Sequence, residues 1–551
     1  MKDIKISPKW AGACIALVFA LFCQILAAQQ PLKLIRANSN AVTIRDGYVI
    51  LNDTWNLSPE VKPDRYHALK SATEKIITFY TDIDSISFKT APGNTYLFAV
   101  LLKGKDTCYT QIVTSEGISP VKQDKLISPE LLAMDFMVFR DYMEREHAGL
   151  YRYRTKPEIE RLFDEGMKSI KGPMQRLDFG KKLMHIISEV RDGHTGTNLS
   201  SMILNAYRDS VKLFPLMLYF DKQSAFVRCS KLREFPTGTE ILSINGKKME
   251  EIKEVLFSYL PSDGQIKSKK RHTLNNGSFA FLYHLVFGAG DSFSIDYRKP
   301  NGQRKTASVE ASLSKDFDCE LGSFSRPAKD LQLDYLPGDI ALLTIKTFDQ
   351  GRLKRSKLDY SRFLENTFNE LKDRKADKLI IDLRGNGGGF DEYGSMLYSY
   401  VAERDFGYLA AVYRANDPEP LSNNRNLGIK QSKFNTFKGE IVFLIDGLCF
   451  SAAADFCAIA KSNKRGKFVG EETAGAYYGN NSGKTIRLEL PNTKIAIIIP
   501  KFKYLNDVKK TRYTDRGVMP DYEIIQSLNE VVTGRDVQMD FALTLLQSKK
   551  Q

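Results

Sequence analysis

The stretch LIIDLRGNGGGF, residues 379 to 390, is an apolar run that ends in four glycines within five positions, Gly385 and Gly387 to Gly389. It lies in a part of the chain where strands and helices alternate from Asp339 onward. IALLTIKTF is followed by a helical period through Tyr360, Phe363, Leu364, Phe368 and Leu371, then by LIIDL, EIVFLID, a second helix and KFVGEE. Such alternation argues for an α/β sheet with ligand sites at the strand ends. Bare backbone at such an end lets main-chain N–H groups approach a phosphate or a negative oxygen closely. The phosphate reading fails on spacing. Counted from Gly385, the sixth position is Phe390 where a dinucleotide fingerprint needs glycine, and Phe390-Asp391-Glu392 supplies no Gly-Lys-Ser/Thr. A turn that only closes a strand–helix connection is the plain alternative.

A chain of 551 residues holds several domains at ~100–200 residues each. The net charge of +14 comes from scattered Lys and Arg, with short runs such as Lys269-Lys270-Arg271. Without finger spacing, an aromatic RNA-binding motif or a basic arm, nucleic acid is not an expected partner. Lys2, Lys5 and Lys9 precede an apolar run from Ala11 to Ala28, which reads as a secretory signal over residues 1–28. An uncleaved membrane anchor is the alternative. Beyond that segment Cys108, Cys229, Cys319, Cys449 and Cys457 are odd in number and widely spaced, so neither a disulfide framework nor a metal site is expected.

Residues 29–128 alternate short β-rich runs with turn signals, as in TYLFAVLLKGKDTCYTQIVT, and read as a β-sandwich-like accessory domain. Residues 129–200 switch to a helical period. Thr155-Lys156-Pro157-Glu158 is a capping box, and Phe179, Leu183, Ile186 and Val190 mark one helix face. This helical bundle ends at DGHTGT, residues 192 to 197, a turn carrying His194. Residues 211–313 contain GTEILSINGKKMEEI, a strand from Glu240 to Ile244 that turns at Asn245-Gly246 toward a helix near Met249. This segment resembles a PDZ domain, with Leu260 to Phe287 as an inserted helical excursion. Residues 330–530 form the α/β domain, and 531–551 a C-terminal helix or tail. The expected class is thus α+β multidomain.

In IVFLIDGLCFSAAADFCAIA, residues 441 to 460, a strand ends at Asp446 and Ser451 stands at the start of a helix. Serine there has two readings. As an N-cap it accepts a backbone N–H; as a nucleophile it sits where helix amides stabilise charge forming on an attacked carbonyl. Ala452 to Ala454 leave room for a substrate.

The order DGHTGT, PDZ-like segment, LIIDLRGNGGG, FSAAAD, VGEETAG and GVMPDYEI resembles the C-terminal-processing and tricorn-type serine peptidases over roughly residues 130 to 530. The resemblance implies a crotonase-like α/β catalytic domain, a PDZ-like domain that engages substrate, and hydrolysis of peptide bonds, often near a C-terminus. The tail-specific branch carries a lysine where this chain has Ala476, and Lys484 is the nearest later lysine. The chain is therefore closer to the tricorn-like branch, which implies His194 as general base to Ser451. For the carboxylate of the triad the resemblance points to Asp515, with Glu471 and Glu472 as rivals. The oxyanion donors then fall to Gly388 and Ala452, with Gly389 as the alternative to Gly388. A histidine base of ordinary pKa, ~6.5, puts the acid limb of activity at roughly pH 6 to 7.5.

The expected protein is a secreted or periplasmic serine endopeptidase that needs no metal or organic cofactor. Its partners would be protein or peptide substrates, held in part by β-augmentation, with membrane contact only through an uncleaved N-terminus. Two other readings compete: a catalytically inactive peptide-binding protein on the same fold, and a carbohydrate- or surface-binding protein dominated by the N-terminal β domain.

Overall fold

The computed structural model describes residues 126–199, 211–317 and 329–547, and seven short strands before them. The expected signal segment, residues 1–28, and most of the expected β-sandwich-like region lie outside the described residues. Among the described residues no helix is long and apolar enough to cross a membrane. The chain divides into two compact units. One comprises residues 1–144, 163–180 and 486–497, the other 145–162, 181–485 and 498–551.

In the first unit Arg36–Asn38, Ala41–Arg45 and Ser85–Lys89 form an antiparallel ladder. Thr95–Tyr96 pairs with Val113–Thr114 and Ala99–Val100 with Cys108–Tyr109. Helix α1, Pro129–Glu146, buries Leu132, Phe136 and Phe139. It also turns a carboxylate inward. Asp135 Oδ1 accepts the Asn492 N–H at 2.9 Å, and Oδ2 accepts the Thr493 N–H at 2.8 Å and its hydroxyl at 2.6 Å.

Helix α2, Arg176–Val190, leads toward the His194 turn of the second unit. An antiparallel sheet follows in sequence order: β1 Met217–Phe220, β2 Ala225–Cys229, β3 Glu240–Ile244, β4 Ser292–Arg298 and β5 Arg304–Glu310. Asn245 and Gly246 both adopt positive φ, 50° and 75°, the backbone that a two-residue hairpin needs. β3 therefore folds back on Lys247–Lys248 before helix α3, Met249–Phe257, begins. The excursion between β3 and β4 also carries α4, Ser268–Thr273, and α5, Phe279–Phe287. Cys229 at the end of β2 is disulfide-bonded, contrary to the expectation from cysteine spacing. Spacing along the chain cannot show which strand ends the fold brings together.

The second sheet is the α/β layer. Its order is β6 Leu331–Leu336, β7 Ile340–Ile345, β8 Lys378–Asp382, β9 Glu440–Ile445, β10 Lys467–Gly470 and β11 Tyr522–Glu523. Only the β6–β7 pairing is antiparallel. Strands this apolar can be buried on both faces. Leu379 and Ile381 pack with helices α6, Tyr360–Asp373, α7, Asp391–Ser399, and α8, Ala452–Ser462. Ile380, Val442 and Leu444 point the other way, against Ala542 and Leu546 of helix α9, Val537–Gln547. Each such side chain contributes ~1.5–3 kcal/mol on burial, enough to fix the register of β8 against β9. That register sets Asp382 opposite Leu444, so the glycine loop and the Ser451 loop leave the sheet side by side.

Candidate active site

The two loops are stitched by side chains within their own motifs. Asp446, just past β9, accepts the Gly385 N–H on both carboxylate oxygens at 3.0 Å, and also the amides of Leu448 and Cys449. Asn386 donates from Nδ2 to the Ile345 carbonyl at 3.1 Å, while its own carbonyl accepts the Phe450 N–H at 3.1 Å. These bonds preorganise the backbone on either side of Ser451.

Ser451 is held at φ 53°, ψ −132°, and its side chain makes no cap bond to α8. A non-glycine residue in that region costs ~1–3 kcal/mol and persists only where its surroundings hold it. The plain N-cap reading of this serine therefore fails, since the usual cap has an extended backbone and accepts an N–H. The strained turn instead leaves Oγ at the N-terminus of a buried helix. A Cβ built on Gly388 would lie 2.7 Å from the Ser451 Cβ and 3.0 Å from the Ala452 nitrogen, so only glycine lets the loop pass this close.

The expected oxyanion pair needs one revision. The Gly388 N–H already donates to Asn386 Oδ1 at 2.9 Å, so Gly388 supplies closeness and not a free donor. The amides of Gly389 and Ala452 donate to no protein group among the described residues. They are free donors on the two loops that meet at Gly388 and Ser451.

His194 lies with its ring stacked on Phe450, the residue before Ser451, with centroids 4.3 Å apart. Among the described residues no hydrogen bond joins it to Ser451, and its Nδ1 is buried without a partner. Its turn is anchored by Asp192, whose Oδ1 accepts the His194 N–H at 3.3 Å. Asp192 Oδ2 in turn accepts from buried His147 Nε2 at 2.9 Å and from the Thr195 hydroxyl at 2.5 Å. The Gly149 N–H donates to His147 Nδ1, which places the imidazole proton of neutral His147 on Nε2. His147 had no motif to mark it; the signal that could have found it is a histidine just past a helix end, two residues before a glycine. Burial pushes the His194 imidazole down to about 4; Asp192 opposes this, and Lys269 and Arg152 add to it. The imidazole is thus held neutral, and it titrates below the pH 6 to 7.5 expected from free imidazole.

The carboxylates beside His194 are not the expected one. A ring nitrogen of His194 and one oxygen each of Asp192 and Asp263 lie within 4.8 Å of one another. Asp515 makes no side-chain hydrogen bond to His194 among the described residues; its main-chain carbonyl accepts the Gln265 N–H at 2.8 Å. Glu471 is taken by Arg271 and His272, and Glu472 by Arg516 and the Gly517 N–H. Lys484 is exposed on the strand Asn481–Glu489, and the Ala476 N–H donates to Asp263 Oδ2 at 3.2 Å. Motif order along the chain pointed to Asp515, but an excursion inserted between β3 and β4 places Asp263 there in space.

Asp192, His194 and Asp263 are also the one group of donors among the described residues with metal-like spacing. It does not fit a cation well. Asp192 is spent on His147 and Thr195, Asp263 on two amides, and the half-buried ammonium of Lys269 lies beside them.

A parallel sheet with a strained serine at one strand end, glycine amides beside it and a neutral histidine nearby defines a serine hydrolase. Residues 339–524 match the model of peptidase family S41, a family of serine-type peptidases. Its fold is similar to that of mature CPAF complexed with lactacystin: 12% identity, TM-score 0.53, 76% of this chain and 97% of that one. Mature CPAF alone aligns at 11% identity and TM-score 0.52 over 77% and 99% of the two chains. The photosystem II D1 C-terminal processing protease aligns at 15% identity and TM-score 0.35, over 74% and 98%. No curated protein matches the sequence.

Proposed function

We propose that this peptidase is a secreted or periplasmic endopeptidase acting on proteins or peptides, with Ser451 as nucleophile and His194 as base. The observation that carries the reading is the strained, uncapped backbone of Ser451 at the start of α8, closed in by Gly388. Ser451 Oγ bonds to the scissile carbonyl carbon while His194 takes the hydroxyl proton. The oxyanion is met by the amides of Ala452 and Gly389, and the proton passes to the leaving amine as the C–N bond breaks. Water then hydrolyses the ester by the same base. Neutral His194 and the dipole of α8 both favour the first step. The antiparallel sheet β1 to β5 offers edges for an extended peptide.

Secretion rests on the charged and apolar pattern of residues 1–28 and on the disulfide at Cys229, a bond that persists in oxidising compartments. The test is labelling by a fluorophosphonate probe, with a peptide-library digest followed by mass spectrometry on wild type and Ser451→Ala in parallel. Wild type should label and cut, and the variant should do neither. Equal cutting by both would remove Ser451 from the chemistry.

A further inference from the structure

The residues from Asp263 to His272 make polar contacts that neither the sheet nor the excursion's own helices require. Asp263 Oδ1 accepts the Gly193 N–H at 2.7 Å, and Lys269 Nζ donates to the Gly193 carbonyl at 2.8 Å. One seven-residue segment thus holds both main-chain polar groups of Gly193, the residue just before His194. The fit is close: a Cβ on Gly193 would meet Lys269 Nζ, Phe450 and Asp263 Oδ1 at 2.9 to 3.0 Å. Lys269 Nζ also lies 3.9 Å from the centroid of the Phe450 ring on which His194 stacks. Through Oδ2, Asp263 further ties down Ala476, in the loop whose Gly475 packs against the Ser451 nitrogen. Gly264, at φ +53°, passes so close to the Asp515 carbonyl that a Cβ would stand 2.2 Å away.

We infer that Asp263 and Lys269 form a positioning clamp on the His194 turn, which makes the helical excursion a working part of the peptidase site. The inference rests on the reading of His194 and Ser451 as base and nucleophile. A buried carboxylate beside a half-buried ammonium costs desolvation, and apolar residues of the same volume would often be as stable, so their presence here points to orientation. Neither side chain needs to touch substrate. Each acts through Gly193, and Phe450 carries the geometry to the nucleophile. The charged groups facing His194 are Asp192 on its own turn, Asp263 and Lys269 on the excursion, and Arg152 from the segment after α1. Removal of the Lys269 charge takes away repulsion toward imidazolium, so it raises the pKa of the base.

The experiment measures fluorophosphonate labelling rate and peptidase kcat and KM against pH for wild type, Ser451→Ala, Asp263→Asn, Lys269→Met, Lys269→Arg and the Asp263→Asn/Lys269→Met pair. Wild-type labelling that Ser451→Ala abolishes secures the reading first; no labelling of wild type defeats that reading and, with it, the clamp. With labelling in hand, Asp263→Asn and Lys269→Met should each lower kcat by ~10-fold or more with KM little changed. The pair should be no worse than its worse member, because the two act as one unit. Lys269→Met should move the acid limb to higher pH, and Lys269→Arg should keep it near the wild-type position. If Asp263→Asn does not fold, the two Lys269 variants carry the test by the acid limb alone. Single variants within two-fold of wild type with an unmoved acid limb would overturn the clamp, as would losses that simply add.

Discussion

Two buried aspartates, one in each unit, are driven by burial to the same acidity and yet do different things. Asp135 in α1 and Asp263 in the excursion are both pushed up to about 6. For Asp135 the opposing influences are hydrogen bonds from Thr493 and Asn492. For Asp263 burial is reinforced by the Asp192 charge and opposed by Lys269, the Gly193 amide and Arg152. Asp135 accepts hydrogen bonds from neutral donors of one tight turn, which fixes that turn to a helix, and it also feels the charge of Arg176. Asp263 is surrounded by a base, a cation and a second carboxylate. A shifted acidity therefore does not identify a site by itself; what the carboxylate faces does.

The sharpest way to break this contrast is His194→Ala. With the base gone, acylation of Ser451 should fall by ~10⁴-fold or more while the melting temperature stays close to wild type. Stopped-flow ester hydrolysis or probe labelling measures the first, calorimetry the second. A variant that still acylates at a tenth of the wild-type rate would remove the chemistry from the Asp263 neighbourhood, and the two aspartates would become alike. Gly388→Ala comes next. Its Cβ would stand 2.6 Å from the Phe450 carbonyl, at a φ of +89° that suits only glycine. Because the loop must move from Ser451 and Gly389, kcat should drop by ~100-fold. A fall confined to KM would place Gly388 in substrate binding instead.

Much of this site is legible in the amino-acid order because its parts lie at the ends of adjacent parallel strands, where each motif is local. LIIDLRGNGGG and FSAAAD are each a strand followed by its own loop, so Ser451, Ala452 and the glycines can be read from short stretches. His194 is legible only in company, since DGHTGT is an ordinary turn until the later motifs give it a role. The carboxylate is not legible. Asp263 sits in LPSDGQ without period or motif, and its closeness to Gly193 depends on how the excursion packs. The same holds for Gly388: spacing shows a bare backbone, but not that the Asn386 side chain has already taken its N–H. Helix and strand positions fare better because register follows from alternating burial, as Ile380 and Ile381 show by facing opposite cores.

A smaller effect separates the two aspartates by stability. Asp135→Asn keeps the shape but turns one acceptor into a donor facing the Thr493 or Asn492 donors, which should cost ~1–3 kcal/mol in urea unfolding. Turnover by the folded fraction should be unchanged. If kcat also falls by ten-fold, the first unit has a part in catalysis that its hydrogen bonds to one turn give no reason to expect.

The smallest effect is the pH dependence of that cost, and its sign is fixed by linkage. Asp135 is raised in the folded protein to about 6 from ~3.9 in the unfolded chain, so the folded state holds its proton more tightly. Its contribution to stability is fully present below pH ~4 and is lost as pH rises through about 6, by an amount on the order of 3 kcal/mol at most. Asparagine has no such dependence. The stability gap between wild type and Asp135→Asn should therefore narrow between pH 4 and 7, as measured by urea unfolding at intervals of half a pH unit. A gap that widens over this range would mean that the Thr493 and Asn492 hydrogen bonds outweigh burial and hold the carboxylate below its ordinary range. The two aspartates would then differ in acidity as well as in surroundings, and the raised pKa of Asp263 would have to come from the Asp192 charge beside it.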